Sequence, residues 1–508
     1  MPNELPLFER LTQHADRVAV IDSLGEVSYE RLLEAAGRIA STLLAGRADL
    51  EEQRVAFLLP PARDYVAAQW GVWLAGGVAV PLCSLHPRPE LEYVLDDAAV
   101  SQVIVHPEFE PRLRPLRQER GLKVIVANDL ALSPSDAPSE CNPPQVDAAR
   151  RAMILYTSGT TSRPKGVVTT HANIQAQVES LIAAWEWRRD DHILHVLPLH
   201  HIHGIINVLT CAMWAGARCE LAPAFDAEET WRRFADGRVT LFMAVPTIYA
   251  KLIVAWEAAN PERRQAYSAA CADMRLMVSG SAALPVSMLE SWKKISGHVL
   301  LERYGMTEIG MALSNPLEGR RAPGCVGGPL PGVEIRLVDE QGGVVSQPDS
   351  PGEIEVRGPT VFLEYWRREE ATAGAFRDGW FRTGDVASQR DGVYRILGRN
   401  SVDIIKTGGY KVSALEIEDI LLTHPDIEQC AVVGVDDPEW GQKVSAAVVT
   451  TSGDSLSLQS LRAWCKQRLA VYKVPTQLRC VRELPRNAMG KVSKPRISPW
   501  FESDQEPA

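Results

Sequence analysis

Nothing in these 508 residues points to a membrane, a disulfide scaffold or a nucleic acid. No apolar run is long enough to cross a bilayer. The nine cysteines are an odd number, scattered singly and without a Cys-x-x-Cys pair, which argues against a disulfide framework or zinc site and leaves them as small buried apolar groups. Formal net charge is −10 with acids and bases interspersed, so no basic face offers itself to nucleic acid or an anionic membrane. Internal repeats and low-complexity segments are missing too. The N-terminus, Met1-Pro2-Asn3-Glu4-Leu5-Pro6, has neither the apolar core of a signal peptide nor the arginines of a transit peptide, and a cytoplasmic location is the expectation.

What is present is an alternation of helix and strand, in a chain too long for a single core. Leu32, Leu33, Ala36, Ile39, Ala40, Leu43 and Leu44 recur at three and four residues, with Ser28 as N-cap and Gly46 past the last turn, and predict an amphipathic helix. Strands are expected at 54–59, 77–82, 103–105, 193–199, 240–245 and 275–279, around largely parallel sheets, and a surface loop at 133–144. After Pro329 the texture becomes short alternating strands between glycine and proline turns, a small β subdomain. Past Arg399 an α+β module follows.

The stretch Tyr156-Thr157-Ser158-Gly159-Thr160-Thr161-Ser162-Arg163-Pro164-Lys165-Gly166 follows the apolar run 152–155. Small hydroxyl residues and glycine leave backbone N–H groups free and let the chain approach an anion, while Lys165 supplies a compact positive charge. A Walker loop does not fit, because Pro164 and Gly166 flank the lysine, which places it in a turn with no neighbouring hydroxyl for magnesium. Three histidines at 200, 201 and 203 end the apolar run 193–199, but alternation along a strand would point neighbours to opposite faces, which argues against a zinc site.

This loop resembles the phosphate loop of the adenylate-forming superfamily, which includes acyl-CoA synthetases. Tyr304-Gly305-Met306-Thr307-Glu308, Thr383-Gly384-Asp385, Gly398-Arg399 with Lys406-Thr407-Gly408-Gly409, and Pro485 through Gly490-Lys491 resemble further family segments in the same order. Two departures stand out: Ser162 replaces a usual glycine, and one extra residue separates Arg399 from Asp403, which leaves the pivot between domains open between Ser401 and Val402. The resemblance implies an α/β protein with a large N-terminal domain of αβ layers (1–398, its β subdomain about 325–398) and a smaller, mobile α+β C-terminal domain (399–508). It also implies ATP, Mg2+ and coenzyme A as the small molecules used.

By the same resemblance, residues 157–165 cradle phosphates, and Ser281, Ala282, Glu302, Arg303 and Tyr304 line the nucleotide. Thr307 meets the α-phosphate, Glu308 holds magnesium, and Asp385 and Arg399 take the ribose. Lys491 is the catalytic lysine of adenylate formation, and Lys406 and Gly409 serve the later thiolester step. His201, Ser279 and Met306 fall at the acyl pocket. Three stretches, 197–204, 274–285 and 301–312, are similar in particular to the malonyl-CoA synthetases, implying a small dicarboxylate substrate. A second carboxylate buried without a partner would cost several kcal/mol, and Arg275 is expected to meet it, with His201 as a second donor. A ligase for a short or medium monocarboxylate, or a nucleotide-binding regulator without turnover, stays open as an alternative.

Overall fold

The computed structural model describes residues 5–127, 143–157, 164–408, 410–451, 453, 456–486 and 492–501. Most of the expected surface loop at 133–144 lies outside them. Two sheets organise the N-terminal body. The first has nine strands in the order Gly328–Pro329, Gly310–Ser314, Leu301–Met306, Leu276–Ser279, Leu241–Ala244, His192–His195, Arg218–Leu221, Val18–Asp22 and Gly25–Ser28. Its six middle strands are parallel and both edges are antiparallel. Strands covered on both faces read as continuous apolar runs, and Leu241–Ala244 and Leu276–Ser279 are buried throughout.

The second sheet runs Glu364–Tyr365, Lys165–Thr170, Arg151–Thr157, Val78–Pro81, Arg54–Leu58, Gln102–Val105 and Lys123–Val126. Helices pack between and around these sheets. The helix Tyr29–Leu44 begins at Ser28, whose hydroxyl accepts the Arg31 N–H. At its other end Ala45, ahead of the expected Gly46, is already left-handed at φ 47°. Arg151–Thr157 and Lys165–Thr170 form an antiparallel hairpin in which Thr157 faces Lys165. Lys165 therefore opens a strand instead of sitting in a turn, and no helix follows the loop as a Walker fold would require.

The β subdomain pairs Glu334–Val338, Gly352–Arg357, Trp380–Arg390 and Phe376–Arg377 in that order, with Val393–Arg399 added to Trp380–Arg390. After Arg399 a separate five-strand sheet carries Tyr410–Ser413, Ile404–Thr407, Gly441–Thr450, Ile427–Asp437 and Gln477–Cys480. Helices Ala414–Leu421 and Leu458–Lys466 accompany it, and its apolar cores are distinct from those of the body. The expected strand 193–199 stops at His195, and a π-helix occupies His203–Thr210. Among the described residues, no helix is long and apolar enough to cross a membrane.

Candidate active site

In a parallel sheet the crevice outside the carboxyl ends of the strands is where ligands bind. Leu276–Ser279 and Leu301–Met306 lie side by side there, with Ser279 in register with Glu302. The next residue along the second strand is Arg303, only 3 % exposed. Its Nη2 donates to Ser281 Oγ at 3.2 Å, and its Nε has no partner. No carboxylate of the described residues forms an ion pair with it, and burial alone pushes its pKa down from the ordinary arginine value to about 9. The guanidinium lies across the Gly280 backbone so closely that a Cβ there would stand 2.5 Å from it. Ser281 follows in a left-handed conformation at φ 68°, a strained state for a residue with a side chain.

Facing Ser281, His203 opens the π-helix, its Nδ1 3.4 Å from the serine hydroxyl. Burial, then the nearby Arg303 charge, hold its pKa well below the ordinary value, so the ring is neutral. Four residues on, just short of one turn of a helix bonded from i to i+5, Asn207 is fully buried with neither amide atom paired. Ser279 Oγ and His203 Nε2 are likewise buried and unpartnered. Buried polar atoms are nearly always satisfied, so this group is built to receive a polar guest. Arg303 determines its sign: the guest is an anion.

A second set of groups lies toward the β subdomain. Tyr304 donates its hydroxyl to Asp385 Oδ2 at 2.6 Å, and Arg399 Nε donates to Asp385 Oδ1 at 2.9 Å. Burial works against the Arg399 charge, but Asp385 outweighs it and its pKa is raised. Glu308 is 6 % exposed and accepts from the Tyr365 hydroxyl at 3.0 Å. Burial raises its pKa, so a cation beside it would be welcome. Over the face of the same ring the Lys165 ammonium sits 4.9 Å from the centroid. The phosphate hairpin and the buried carboxylate thus share one aromatic ring. Among the described residues no cluster of three or more His, Cys, Asp or Glu could hold a metal alone. One carboxylate completed by substrate phosphates is the mode magnesium favours, and Glu308 fits it.

The model for the AMP-binding enzyme family matches residues 7–366, and that for its C-terminal domain matches residues 416–491. The chain belongs to the AMP-binding enzyme family. Among relatives in this family is malonate–CoA ligase ACSF3, mitochondrial, of Homo sapiens, 47 % identical over 529 residues, covering 98 % of this chain and 92 % of that protein. The malonate–CoA ligase of Arabidopsis thaliana is 38 % identical, with 98 % and 88 % covered. Of solved structures, ATP-bound MatB from Rhodopseudomonas palustris superposes with a TM-score of 0.88 at 33 % identity, covering 98 % of both chains.

The family's site residues are only partly assembled as the sequence reading expected. Tyr304, Asp385, Arg399, Glu308 and Lys165 converge, with Thr307 beside Glu308 in the half-buried turn after Met306. Thr157 and Pro164 flank the phosphate loop. Ser158, Gly159, Thr160, Thr161, Ser162, Arg163, Gly409 and Lys491 lie outside the described residues. Ala282 is exposed at the rim. Glu302 is buried, accepts the Gly324 N–H at 3.2 Å and has its pKa raised to about 8 by burial. Lys406 pairs with Glu340 of the β subdomain at 3.1 Å, away from the carboxyl-end crevice.

One expectation is corrected. Arg275 precedes Leu276–Ser279 and therefore stands at the amino end of that strand, opposite the crevice. Its guanidinium is already gripped by Asp191, at 2.6 and 3.1 Å, and by the Trp185 carbonyl at 2.9 Å. It is a structural ion pair whose charge is already met by Asp191, at the end of the strand away from the crevice. The buried cation at the crevice is Arg303, expected at the nucleotide. His201 is half-buried with its ring packed on His200, centroids 4.1 Å apart, and its neighbour His203 is the histidine that meets Ser281. In the sequence Gly280 beside a strand end marks a close approach without saying of what, and the expected strand through 199 hid the helix that His203 opens.

Proposed function

We propose that this protein is an ATP-dependent malonate–CoA ligase, which joins malonate to coenzyme A through an acyl-adenylate with release of pyrophosphate and then AMP. The observation that carries the reading is the buried Arg303 cation, without an anionic partner in the described protein, facing Ser281 and His203 at the acyl end. Malonate keeps a second carboxylate after the first is activated. A guanidinium grips such a group bidentately, and the neutral His203 ring and Ser281 hydroxyl add donors without adding charge. A monocarboxylate would leave Arg303 buried and unpaired, which disfavours that alternative by several kcal/mol.

The chemistry follows from the two clusters. Lys165 and the hairpin backbone receive the triphosphate, Asp385 and Arg399 orient the ribose, and Thr307 donates to the α-phosphate. Glu308, together with phosphate oxygens, would hold magnesium, which would supply charge neutralisation for the leaving pyrophosphate. The carboxylate gripped at Arg303 leaves its other end free to attack the α-phosphorus, so the two reacting anions are oriented before they meet. Lys491 then bridges carboxylate and α-phosphate as charge develops. Residues from 399 onward form a unit that reorients so that Lys406 and Gly409 serve thiolester formation. A lower TM-score, 0.68 at 36 % identity with 93 % of this chain and 97 % of that chain covered, to a malonyl-CoA ligase bound to methylmalonyl-CoA and AMP supports two arrangements of the units. Methylmalonate is the expected second substrate. A cytoplasmic location belongs to this proposal as well, although the vertebrate relatives are named mitochondrial, and cell fractionation tests it.

Pyrophosphate release over malonate, methylmalonate, acetate, propanoate and butyrate is the direct test. Malonate and then methylmalonate are expected to lead, and preference for any monocarboxylate would overturn the reading.

A further inference from the structure

The connector between the two units is pinned at both ends. On the side of the body, Arg399 is in register with Asp385 in the sheet and grips its carboxylate at 2.9 Å, and the Asn400 N–H donates to the Gly384 carbonyl at 2.9 Å. On the other side, Asp403 is held by Lys494, whose ammonium lies 2.6 Å from Asp403 Oδ1 and 2.7 Å from Glu418 Oε1. Lys494 is 8 % exposed, deeply buried for a lysine. Glu418 belongs to the helix Ala414–Leu421 and also accepts the Val432 N–H, so it is fixed to the sheet of the C-terminal unit. The Asp403 carbonyl accepts the Ala414 N–H at 2.8 Å. Asp403 therefore moves with the C-terminal unit, and Arg399 and Asn400 with the body.

Between these anchors stand Ser401, which is exposed, and Val402. Two bonds of note span the gap: the Asp403 N–H to the Arg399 carbonyl at 2.7 Å, and the Arg399 N–H to Asp403 Oδ2 at 3.0 Å. Both are turn bonds that a change in the Ser401 and Val402 dihedrals would break. Gly398 makes the tight turn possible, since a Cβ there would stand 2.3 Å from that of Asp403. Lys494 also sits just past the described foot of the segment that carries Lys491, where Ser493 N–H donates to the Pro485 carbonyl at 2.7 Å and Arg486 bridges to Val492.

We infer that Lys494 is a positioning residue: by clamping Asp403 to Glu418 it confines the bend between the units to Ser401 and Val402. The inference rests on the reading that the C-terminal unit reorients between the two half-reactions. Without the ammonium, two carboxylates face each other unneutralised. The far end of the connector is then released, and the bend spreads beyond Val402. Substrate binding in the body is untouched, while turnover, which needs a defined swing, falls.

The test compares full-length wild type, Lys494→Met, Lys494→Arg and Asp403→Asn by hydrogen exchange and steady-state kinetics. In Lys494→Met, amides of 398–404 are expected to exchange about tenfold faster or more, while Ile427–Asp437 and Gly441–Thr450 keep wild-type protection. The kcat for malonyl-CoA should fall about tenfold or more with KM for ATP and malonate within about twofold of wild type, and Lys494→Arg should restore most of it. Asp403→Asn weakens the same clamp from its other side and should show the same pattern should Lys494→Met fail to fold. Unchanged exchange at 398–404, or faster exchange spread evenly over the C-terminal unit, would overturn the clamp. So would a change in KM with kcat preserved. A wild type that makes no malonyl-CoA would instead sink the ligase reading, and the exchange result would still decide the clamp.

Discussion

Replacing Arg303 by methionine tests the substrate assignment with a magnitude that can be worked beforehand. Burial lowers this guanidinium from its ordinary value to about 9, and at about 1.4 kcal/mol for each tenfold change in proton affinity the free protein holds an uncompensated charge at a cost on the order of 5 kcal/mol. A bound carboxylate recovers part of that cost. Truncating one partner of a buried, hydrogen-bonded charge pair costs about 2–5 kcal/mol, or roughly thirtyfold to several thousandfold. Arg303→Met should therefore lower malonate kcat/KM by about a hundredfold or more, and leave propanoate and butyrate unchanged or improved. Pyrophosphate release with each acid, wild type and variant side by side, is the assay. Stability should move the opposite way. In the folded protein the guanidinium gives up its proton near pH 9, whereas the unfolded chain holds it to the ordinary, higher arginine value, so between the two the unfolded state binds more protons and wild-type stability rises with pH. Below that window the cost is carried in full. The variant, lacking it, should melt higher at neutral pH and lose the malonate-induced thermal shift. An unchanged malonate rate, or an equal fall for malonate and propanoate, would refute the assignment.

Arg275→Met should behave in the contrary manner: breaking its pair with the buried Asp191 should destabilise the fold by about 3 kcal/mol or more, seen as a lower denaturation midpoint, while the malonate-to-propanoate ratio stays at the wild-type value. Lys491→Ala should reduce adenylate formation by about a hundredfold, on the order of 3 kcal/mol of transition-state stabilisation, with thiolester formation from supplied malonyl-adenylate much less affected. An equal loss in both steps would remove the role given to this lysine. Glu302 has its pKa raised to about 8 by burial, so the folded state holds its proton where the unfolded chain has lost it, and stability falls as pH rises from about 4.5 to about 8. Glu302→Gln should flatten that part of a melting-temperature profile, and an unaltered slope would contradict the assignment.

Most of the frame could be read before any coordinates. Apolar runs such as 54–59 and 240–245 became buried parallel strands because both faces are covered, and Ser28 capped its helix because its hydroxyl meets a free N–H. Tyr304, Asp385 and Arg399 were legible as a group for a different reason: each sits in a compact motif that resembles one of the family's, although 81 residues separate Tyr304 from Asp385. The acyl side was not. Arg275 and Arg303 each flank an apolar strand in the sequence, and only the direction of the sheet decides that one faces Asp191 and the other the crevice. His203 was hidden because no local pattern distinguishes an apolar strand that continues from one that yields to a wide helix at the next histidine.

That wide helix has a consequence for how the pocket could change. His203–Thr210 closes its turns with one residue more than an ordinary helix uses. Removing any single residue from 204 to 206 would let the segment relax to the common form and turn Asn207 and the chain after it relative to His203, with no side chain of the pocket exchanged. In this part of the molecule the shape of the acyl chamber is set by chain length, so an insertion or deletion could retune selectivity as deeply as a substitution.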